Sequence, residues 1–290
     1  MDLGWCMPTI TLGQTRLTLL RDGTFWMDGG GVFGLVPRVL WERVAPPDDL
    51  NRVEMALNCL LIEADGQRIL VETGMGGKLS EREAGFFNLS REGGLVARLA
   101  DLGLTPADID LVVNTHLHSD HAGGNTALVD GAVVPTFPRA RYCVQRREWA
   151  AASFPDERTR ATYLPENLQP LASQLRLLNG DERLTPSVRC LVTRGHTLAH
   201  QSVLIESGGQ RALFLGDLAP FTVHLERLAW ITAFDTEPLE TLETKRAIVR
   251  WAVEDDLLLI FDHDPRVPWG RLRQRDGKLT VEPATVTSNQ

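Results

Sequence analysis

Short apolar runs separated by turn residues recur along the chain, and most of them have the length of a β-strand. The clearest pair, residues 55–62 and 68–71, flanks Asp65-Gly66, a dipeptide typical of a tight hairpin turn. Arg21-Asp22-Gly23 is predicted to turn the chain into another strand at 24–27. The other predicted strands are 9–20 around a turn at Gly13-Gln14, 109–113, 141–144, 174–178, 188–192, 202–206, 211–215, 257–261 and a hairpin within 272–281.

Helical spacing of apolar residues is clearest at 236–254, where Pro238 falls in the first turn. Shorter helices are predicted at 95–102 and 145–152. Strands with interspersed helices in both halves of the chain predict an α/β (α+β) fold of two packed, mixed β-sheets flanked by helices. Irregular structure is predicted for the glycine-rich segment 28–37 and for the proline-containing segments 135–138 and 154–170.

Composition narrows the classes of partner and compartment. The 290 residues are 43% hydrophobic and 23% charged, which is typical of a globular protein, and the net charge of −8 excludes nucleic-acid binding as the main function. Residues 1–5 do not resemble a signal peptide, and no uncharged apolar run reaches the roughly 20 residues of a membrane helix. We therefore expect a cytoplasmic protein with no membrane partner. The four cysteines have no C-x-x-C spacing, and we expect reduced, buried thiols at Cys6, Cys59, Cys143 and Cys190.

The strongest chemical signal is His-Leu-His-Ser-Asp-His at residues 116–121, which places four potential metal ligands within six positions. His116 and His118 can share one side of a loop, while Asp120 and His121 face a neighbouring point. Three isolated candidates follow later apolar runs: His196 would complete the first site, His263 the second, and Asp217 would supply one oxygen to each metal. Two cations about 3.5–4 Å apart generate a bridging hydroxide at neutral pH, so the pattern predicts a dinuclear metallohydrolase.

These seven residues match, in order, the pattern of the metallo-β-lactamase superfamily, and the resemblance spans about residues 55–265. It implies an αβ/βα sandwich with the metals at one edge between the two sheets. The bridging Asp217 is absent from the true β-lactamases of the superfamily, and the acidic chain lacks the basic surface of its RNA-cleaving nucleases. The remaining resemblance is to quorum-quenching N-acyl-homoserine lactonases and related organophosphate-hydrolysing enzymes.

That resemblance implies a single domain over residues 1–290, with an N-terminal hairpin and substrate-covering loop in 1–50 and a C-terminal hairpin in 266–290. The best-known lactonases carry a tyrosine three residues after the bridging aspartate, where this chain has Pro220. We consider His224 either as a replacement hydrogen-bond donor in the pocket or as a surface histidine. His200 and Asp262 are expected to lie behind the ligands and orient their imidazoles. The predicted substrate contacts are Trp26, Met27, Phe33, Leu35, Phe86, Phe87 and Trp230.

The sequence thus predicts a lactone-opening hydrolase with two divalent metal ions, most simply zinc, although manganese, cobalt or iron suit the same ligands. Asp120 would orient the nucleophile or accept its proton, and phosphotriesters are expected as secondary substrates. The alternatives are an organophosphate, aryl-ester or thioester hydrolase of the same fold, or a metal-binding protein without activity. The oligomeric state stays open between a monomer and a homodimer formed through the apolar N-terminal segment.

Overall fold

The computed structural model describes residues 7–284. Within this range most of the regular structure is β-strand, as the short apolar runs predict. The strands, in chain order, are β1 (Thr9–Leu12), β2 (Thr15–Asp28), β3 (Arg52–Ala64), β4 (Gln67–Val71), β5 (Leu111–Val113), β6 (Thr126–Val129), β7 (Ala132–Pro135), β8 (Arg141–Gln145), β9 (Leu175–Leu178), β10 (Glu182–Arg183), β11 (Val188–Val192), β12 (Gln201–Ser207), β13 (Gln210–Phe214), β14 (Leu258–Ile260), β15 (Trp269–Arg275) and β16 (Lys278–Pro283).

Two seven-stranded mixed sheets form the centre of the molecule. The first has the strand order β1-β2-β3-β4-β5-β8-β9, and the second has the order β10 through β16 in sequence. In the first sheet, β4, β5, β8 and β9 run parallel, and in the second β13 runs parallel to β14. Parallel neighbours bring their carboxyl ends to one edge, which is where the chain continues into its histidine-bearing loops.

The apolar residues between the two sheets form the largest buried cluster. Alternate side chains of the first sheet, such as Leu60, Ile62 and Val113, face Val203 and Phe214 of the second sheet, and all five are fully buried. The outer faces of both sheets are covered by helices, so the layers run helix, sheet, sheet, helix. The predicted fold class is confirmed.

Helices occupy the connections between strands. The longest packs Ile248 and Ala252 against the outer face of the second sheet, beside Leu213 and Leu259. Leu95 and Leu99 of a shorter helix pack on the first sheet. The helices are α1 (Gly29–Phe33), α2 (Arg38–Trp41), α3 (Glu81–Phe86), α4 (Gly94–Asp101), α5 (Ser119–Ala122), α6 (Arg146–Ser153), α7 (Pro165–Leu168), α8 (Thr222–Glu226) and α9 (Pro238–Glu254).

Three local predictions were wrong. The expected turn after Arg21 is a register shift inside the single long strand β2, because both halves keep pairing with β3. The glycine-rich segment is not wholly irregular: Asp28 caps α1 by accepting hydrogen bonds from the backbone amides of Gly30 and Gly31 at 2.8 and 3.2 Å. The proline-containing segment 154–170 includes α7, with Pro165 at its first position.

No helix among residues 7–284 is both long enough and apolar enough to cross a membrane. Cys59, Cys143 and Cys190 are buried free thiols, as predicted, while Cys6 lies outside the described residues. Burial raises the pKa of the Cys59 and Cys190 thiols well above the ordinary value, so both stay protonated.

Candidate metal centre and cavity

Loops at the carboxyl ends of strands from both sheets converge at one edge of the sandwich. The His116–His121 segment follows β5, and His196 lies in the loop between β11 and β12. Asp217 follows β13, and His263 follows β14. Six of the seven predicted ligands are buried, with Asp217 the most exposed of these at 8%, and Asp120 is partly buried. The site is therefore assembled from both halves of the chain.

The first group of potential ligands consists of His116, His118, His196 and Asp217, whose ligand atoms all lie within 4.8 Å of one another. His196 Nε2 is 3.1 Å from His118 Nδ1 and 3.1 Å from Asp217 Oδ2. His116 Nε2 is 3.9 Å from the same carboxylate oxygen. Three imidazole nitrogens and one carboxylate oxygen therefore point at a common centre.

The second group lies on the other side of Asp217. Its Oδ1 is 3.2 Å from His263 Nε2 and 3.6 Å from His121 Nε2, and those two nitrogens are 3.1 Å apart. Asp120 Oδ2 is 3.6 Å from His263 Nε2 and 3.7 Å from His121 Nε2. Asp217 thus presents one oxygen to each group, the arrangement that a bridging ligand needs.

The donor atoms fit divalent cations. Ligands about 2.0–2.1 Å from a tetrahedral zinc ion lie about 3.3 Å from one another, close to the shorter separations in both groups. His116 Nε2 and Asp217 Oδ1 are buried and have no hydrogen-bond partner within the described residues, which costs free energy unless a cation occupies the gap. Imidazole nitrogens about 3.1 Å apart also repel unless a proton or a metal lies between them.

The other ring nitrogen of four histidines faces an oxygen atom that helps to hold the orientation of the ring. His196 Nδ1 contacts Asp235 Oδ1 at 2.9 Å, and His263 Nδ1 contacts the Ala56 carbonyl oxygen at 2.7 Å. His116 Nδ1 is 3.0 Å from the Thr115 hydroxyl. His121 Nδ1 lies 3.4 Å from Glu72 Oε1. A proton on the outer nitrogen leaves the inner lone pair free to bind a metal.

The pKa shifts differ among the predicted ligands: nearby carboxylates raise the pKa of His121, His196 and His263 despite burial, whereas His116 and Asp217 are shifted toward the forms that bind metals. Burial lowers the pKa of His116 well below its ordinary value, and the neighbouring imidazoles lower it further, so this ring is neutral. Burial raises the pKa of Asp217, but the imidazoles of His196, His121 and His263 outweigh it and hold that pKa well below the usual range. A neutral imidazole and an ionised carboxylate are the forms that bind metals.

His200 and Asp262 lie behind the predicted ligands. His200 is fully buried, its ring centroid is 5.4 Å from that of His116, and its Nδ1 is 2.9 Å from the Thr193 hydroxyl. Asp262 Oδ2 is 3.7 Å from His121 Nδ1, the nitrogen that faces away from His263. Burial raises the pKa of Asp262 to about 7. These positions agree with an orienting role, which stays a prediction.

A cavity of about 380 Å³ opens onto both ligand groups. Met27 and Phe87, two of the predicted substrate contacts, line it. Its other lining residues outside the predicted ligands include Met55, Met75, Phe234, Ala161, Ala233, Ser119, Arg158, Thr159 and Thr162. One wall is therefore sulfur-rich and aromatic, and residues 158–162, here called the wall segment, add polar side chains.

The structure places five of the predicted substrate contacts outside the lining of this cavity. Trp26 lines a different cavity, beside Glu54 and Asp264. The side chains of Leu35 and Phe86 are exposed to solvent, at 102% and 71%. Phe33 and Trp230 are buried in a core cluster, where their rings meet edge to face at 5.8 Å. The sequence pattern did not reveal which apolar side chains face the predicted metal ligands.

His224 also has to be corrected as a candidate donor. It is 1% exposed, and its ring stacks on Phe33 at 5.5 Å. Its Nδ1 accepts a hydrogen bond from the Phe221 amide, and its Nε2 lies 3.2 Å from the Val32 carbonyl oxygen. Burial lowers the pKa of His224 to about 3. Because both nitrogens are occupied by backbone groups outside the cavity, His224 is a structural residue that holds α1 to α8.

Sequence reasoning missed three acidic residues around the site. Glu72 and Asp235 face ligand imidazoles, and Glu148 accepts hydrogen bonds from the loops that carry them. Glu72 could have been identified, because it directly follows the predicted strand 68–71 in the same way that the histidine segment follows the predicted strand 109–113. Asp235 and Glu148 had no such signal in the sequence. Asp235 lies 39 residues from its partner His196, and Glu148 lies 49 residues from its partner Thr197. The wall residues Arg158 and Phe234 were likewise not identified.

Comparison with known proteins adds independent information. Residues 53–270 match the family model of the Metallo-beta-lactamase superfamily, a range that includes all seven predicted ligands. An N-acyl homoserine lactonase from a Bacillus species is 30% identical over 225 residues, which cover 73% of this chain and 82% of the relative.

Solved structures agree over almost the whole chain. A structure described as a probable metal-dependent hydrolase from Staphylococcus aureus has a TM-score of 0.87 at 28% identity, over 96% of this chain and 100% of the other. AidC, a dizinc quorum-quenching lactonase in complex with a product, has a TM-score of 0.79 at 20% identity, over 96% and 97%. At that identity the second likeness shows the fold alone.

Proposed function

Because the chain belongs to the metallo-beta-lactamase superfamily, we propose that it is a dinuclear metal-dependent hydrolase that opens lactone rings, with N-acyl-homoserine lactones as its preferred substrates. The observation that carries the proposal is the position of Asp217, which presents one oxygen to each ligand group beside a largely apolar cavity. The similarity to a relative named N-acyl homoserine lactonase supports the substrate class.

In this proposal, His116, His118 and His196 hold one divalent cation, Asp120, His121 and His263 hold the second, and Asp217 contributes to both. Zinc is the proposed metal, and manganese, cobalt or iron suit the same nitrogen and oxygen donors. When bound, such a pair lowers the pKa of a water molecule and polarises a carbonyl oxygen.

Asp120 is the proposed proton carrier. Its side chain lines the cavity and keeps 17% of its surface exposed, the largest value among the predicted carboxylate ligands. A carboxylate oxygen here can orient the attacking water and accept its proton as the oxygen adds to the lactone carbonyl carbon. The same proton then passes to the ring oxygen as its bond to that carbon breaks, which yields a hydroxyl group and a carboxylic acid. The acid then loses its remaining proton to solvent and becomes a carboxylate.

The cavity walls are proposed to bind the rest of the substrate. Met27, Met55, Met75, Phe87 and Phe234 offer apolar surface for an acyl chain, and the flexible thioethers adapt to chains of different shape. On the wall segment, Arg158 Nη2 donates hydrogen bonds to the Ala233 and Asp235 carbonyl oxygens at 2.7 and 3.3 Å. These bonds hold the guanidinium at the cavity, where its other N–H groups can donate to a substrate oxygen.

Turnover by the metal-loaded full chain tests the proposal. Protein loaded separately with zinc, manganese, cobalt or iron is assayed with short-chain and long-chain N-acyl-homoserine lactones, with paraoxon and with an activated thioester. We expect lactone opening with the highest kcat/KM and slower phosphotriester hydrolysis. Phosphotriester turnover without lactone turnover would favour the organophosphate hydrolase, and two bound metals without any turnover would favour a metal-binding protein. Asp217→Ala is the control for background hydrolysis.

We also propose that the whole chain forms one domain. The N-terminal hairpin adds β1 to the edge of the first sheet, and the C-terminal hairpin adds β16 to the edge of the second. Leu12 and Trp269 belong to the same buried cluster between the sheets, which ties both hairpins to one core.

A further inference from the structure

A buried glutamate on α6 lies outside the ligand set and contacts three parts of the site. Glu148 is 0% exposed, and its carboxylate accepts hydrogen bonds from the Leu117 amide, the Thr197 hydroxyl and the Tyr163 hydroxyl. All three donors are uncharged. Burial raises the pKa of Glu148, and the hydrogen bonds act in the opposite direction. A buried carboxyl group is costly in free energy, so its position requires a reason.

Two of the donors belong to the loops of the first ligand group. The Leu117 amide, between His116 and His118 in sequence, lies 3.1 Å from Glu148 Oε1. The Thr197 hydroxyl, adjacent to His196, lies 2.6 Å from Oε2. One carboxylate therefore connects loops that come from different sheets and that carry three imidazoles facing the same centre.

The third donor connects Glu148 to the cavity wall. The Tyr163 hydroxyl lies 2.9 Å from Glu148 Oε1, and Tyr163 directly follows the wall segment. Its ring packs on His118 with centroids 5.0 Å apart. Tyr163 is 4% exposed and does not line the cavity, so its contact with substrate is indirect.

We propose that Glu148 is a positioning residue that fixes the two loops of the first ligand group and the wall segment relative to one another. It would set the metal affinity of the His116, His118 and His196 group through Leu117 and Thr197. It would set the shape of the cavity through Tyr163. This inference rests on the metal sites of the proposed function but not on the identity of the substrate.

Four variants of the full chain separate these links. Glu148→Gln keeps the size of the side chain but loses its charge and one acceptor oxygen, Thr197→Val removes the link to His196, and Tyr163→Phe removes the link to the wall. Tyr142→Phe is the matched control, because Tyr142 is the other tyrosine, is 1% exposed, and donates a hydrogen bond to the Asn125 carbonyl oxygen at 2.9 Å. Circular dichroism checks folding, and a competing chelator measures release of each zinc equivalent.

For Glu148→Gln we expect release of one zinc equivalent at a chelator concentration at least about tenfold lower, since losing a group that orients metal ligands costs about 10- to 100-fold in affinity. The second equivalent should be released as in the wild type. Thr197→Val should shift the same equivalent by a smaller factor. Tyr163→Phe should raise KM, with kcat and zinc release nearly unchanged. Tyr142→Phe should leave KM, kcat and zinc release unchanged.

A wild-type release profile for both Glu148→Gln and Thr197→Val would overturn the inference, and so would an equal shift of both equivalents. If Glu148→Gln fails to fold, Thr197→Val and Tyr163→Phe still test the two links separately. Failure of the wild type to open lactones would contradict the proposed function and leave the zinc-release comparison valid. The two failures are thus distinguishable.

Discussion

Replacing Asp235 should weaken the first ligand group without removing a ligand. Asp235 is 4% exposed, and its Oδ1 accepts hydrogen bonds from His196 Nδ1 at 2.9 Å and from the Thr232 hydroxyl at 2.7 Å. Its Oδ2 accepts one from the Thr241 hydroxyl at 2.5 Å. Burial raises the pKa of Asp235, but the hydrogen bond and charge of His196 outweigh it and leave that pKa below the ordinary value. Because an ionised Asp235 holds the His196 proton on Nδ1, Nε2 is the nitrogen left to bind a metal.

The expected loss of metal affinity depends on which hydrogen bonds each Asp235 variant retains. In Asp235→Asn, Oδ1 can still accept from His196 and Thr232, and the Thr241 hydroxyl can turn to accept from the new amide. The main loss is then the negative charge. Asp235→Ala leaves all three donors without their acceptor. Losing such a partner costs about 10- to 100-fold in metal affinity, or about 1.4–2.8 kcal/mol, so we expect about tenfold for Asp235→Asn and about 100-fold for Asp235→Ala.

A chelator competition on the zinc-loaded full chain measures this effect, with circular dichroism as the check on folding. Asp65→Asn is the control, because Asp65 accepts hydrogen bonds from the Ser187 amide and hydroxyl at an exposed turn, where its φ of 54° suits asparagine. If Asp235→Ala released zinc at the wild-type chelator concentration, the assignment of an orienting role to Asp235 would be refuted.

Three further predictions concern stability and substrate binding. Removing metal with a chelator should lower the unfolding temperature, because cation binding selectively stabilises the folded chain, and readdition of zinc should restore it; an unchanged calorimetric scan would contradict the metal sites. Burial lowers the pKa of Lys245 to about 7, below its unfolded value of about 10.4, so the unfolded chain holds more protons between these values and stability should rise with pH there. Measured by urea unfolding, the wild type should therefore gain up to about 1 kcal/mol per pH unit relative to Lys245→Met between about pH 7.5 and pH 9, and a constant difference would be inconsistent with this titration. In steady-state kinetics, Arg158→Met should raise KM for lactones about tenfold with a smaller change in kcat, because it removes the hydrogen-bond donors at the cavity wall. Arg160 is exposed, belongs to the same segment and does not line the cavity, so Arg160→Met should leave KM unchanged.

The metal-binding segment could be predicted because its chemistry is local. His116, His118, Asp120 and His121 follow one buried strand, and four potential ligands within six residues rarely serve a purely structural purpose. The two-sheet arrangement was also predictable, since strand-length apolar runs recur in both halves of the chain. The roles of the individual ligands remain predictions, although the structure brings all seven together.

The cavity could not be predicted, because apolar residues of a strand or short helix give no indication of which buried surface they face. Met27 and Trp26 are adjacent in β2, and alternation along the strand sends only Met27 to the cavity beside the ligands. Phe234 reaches that cavity because Gly31 has no side chain: a Cβ atom there would lie 2.5 Å from Phe234 Cζ. Such a fit depends on contacts between distant segments, which sequence order does not reveal.

The hydrogen bonds of the ligand histidines indicate that the candidate metal centre also connects the two sheets. His263 follows β14 of the second sheet, yet its Nδ1 is held by Ala56 of β3 in the first. Nearby, Asn58 of β3 donates hydrogen bonds to the carbonyl oxygens of Phe261 and Asp264 at 3.1 and 3.2 Å. The inner nitrogen of His263 meets that of His121, which belongs to the first half of the chain. Because each half supplies ligands and also orients those of the other, metal affinity and the association of the two sheets should rise and fall together.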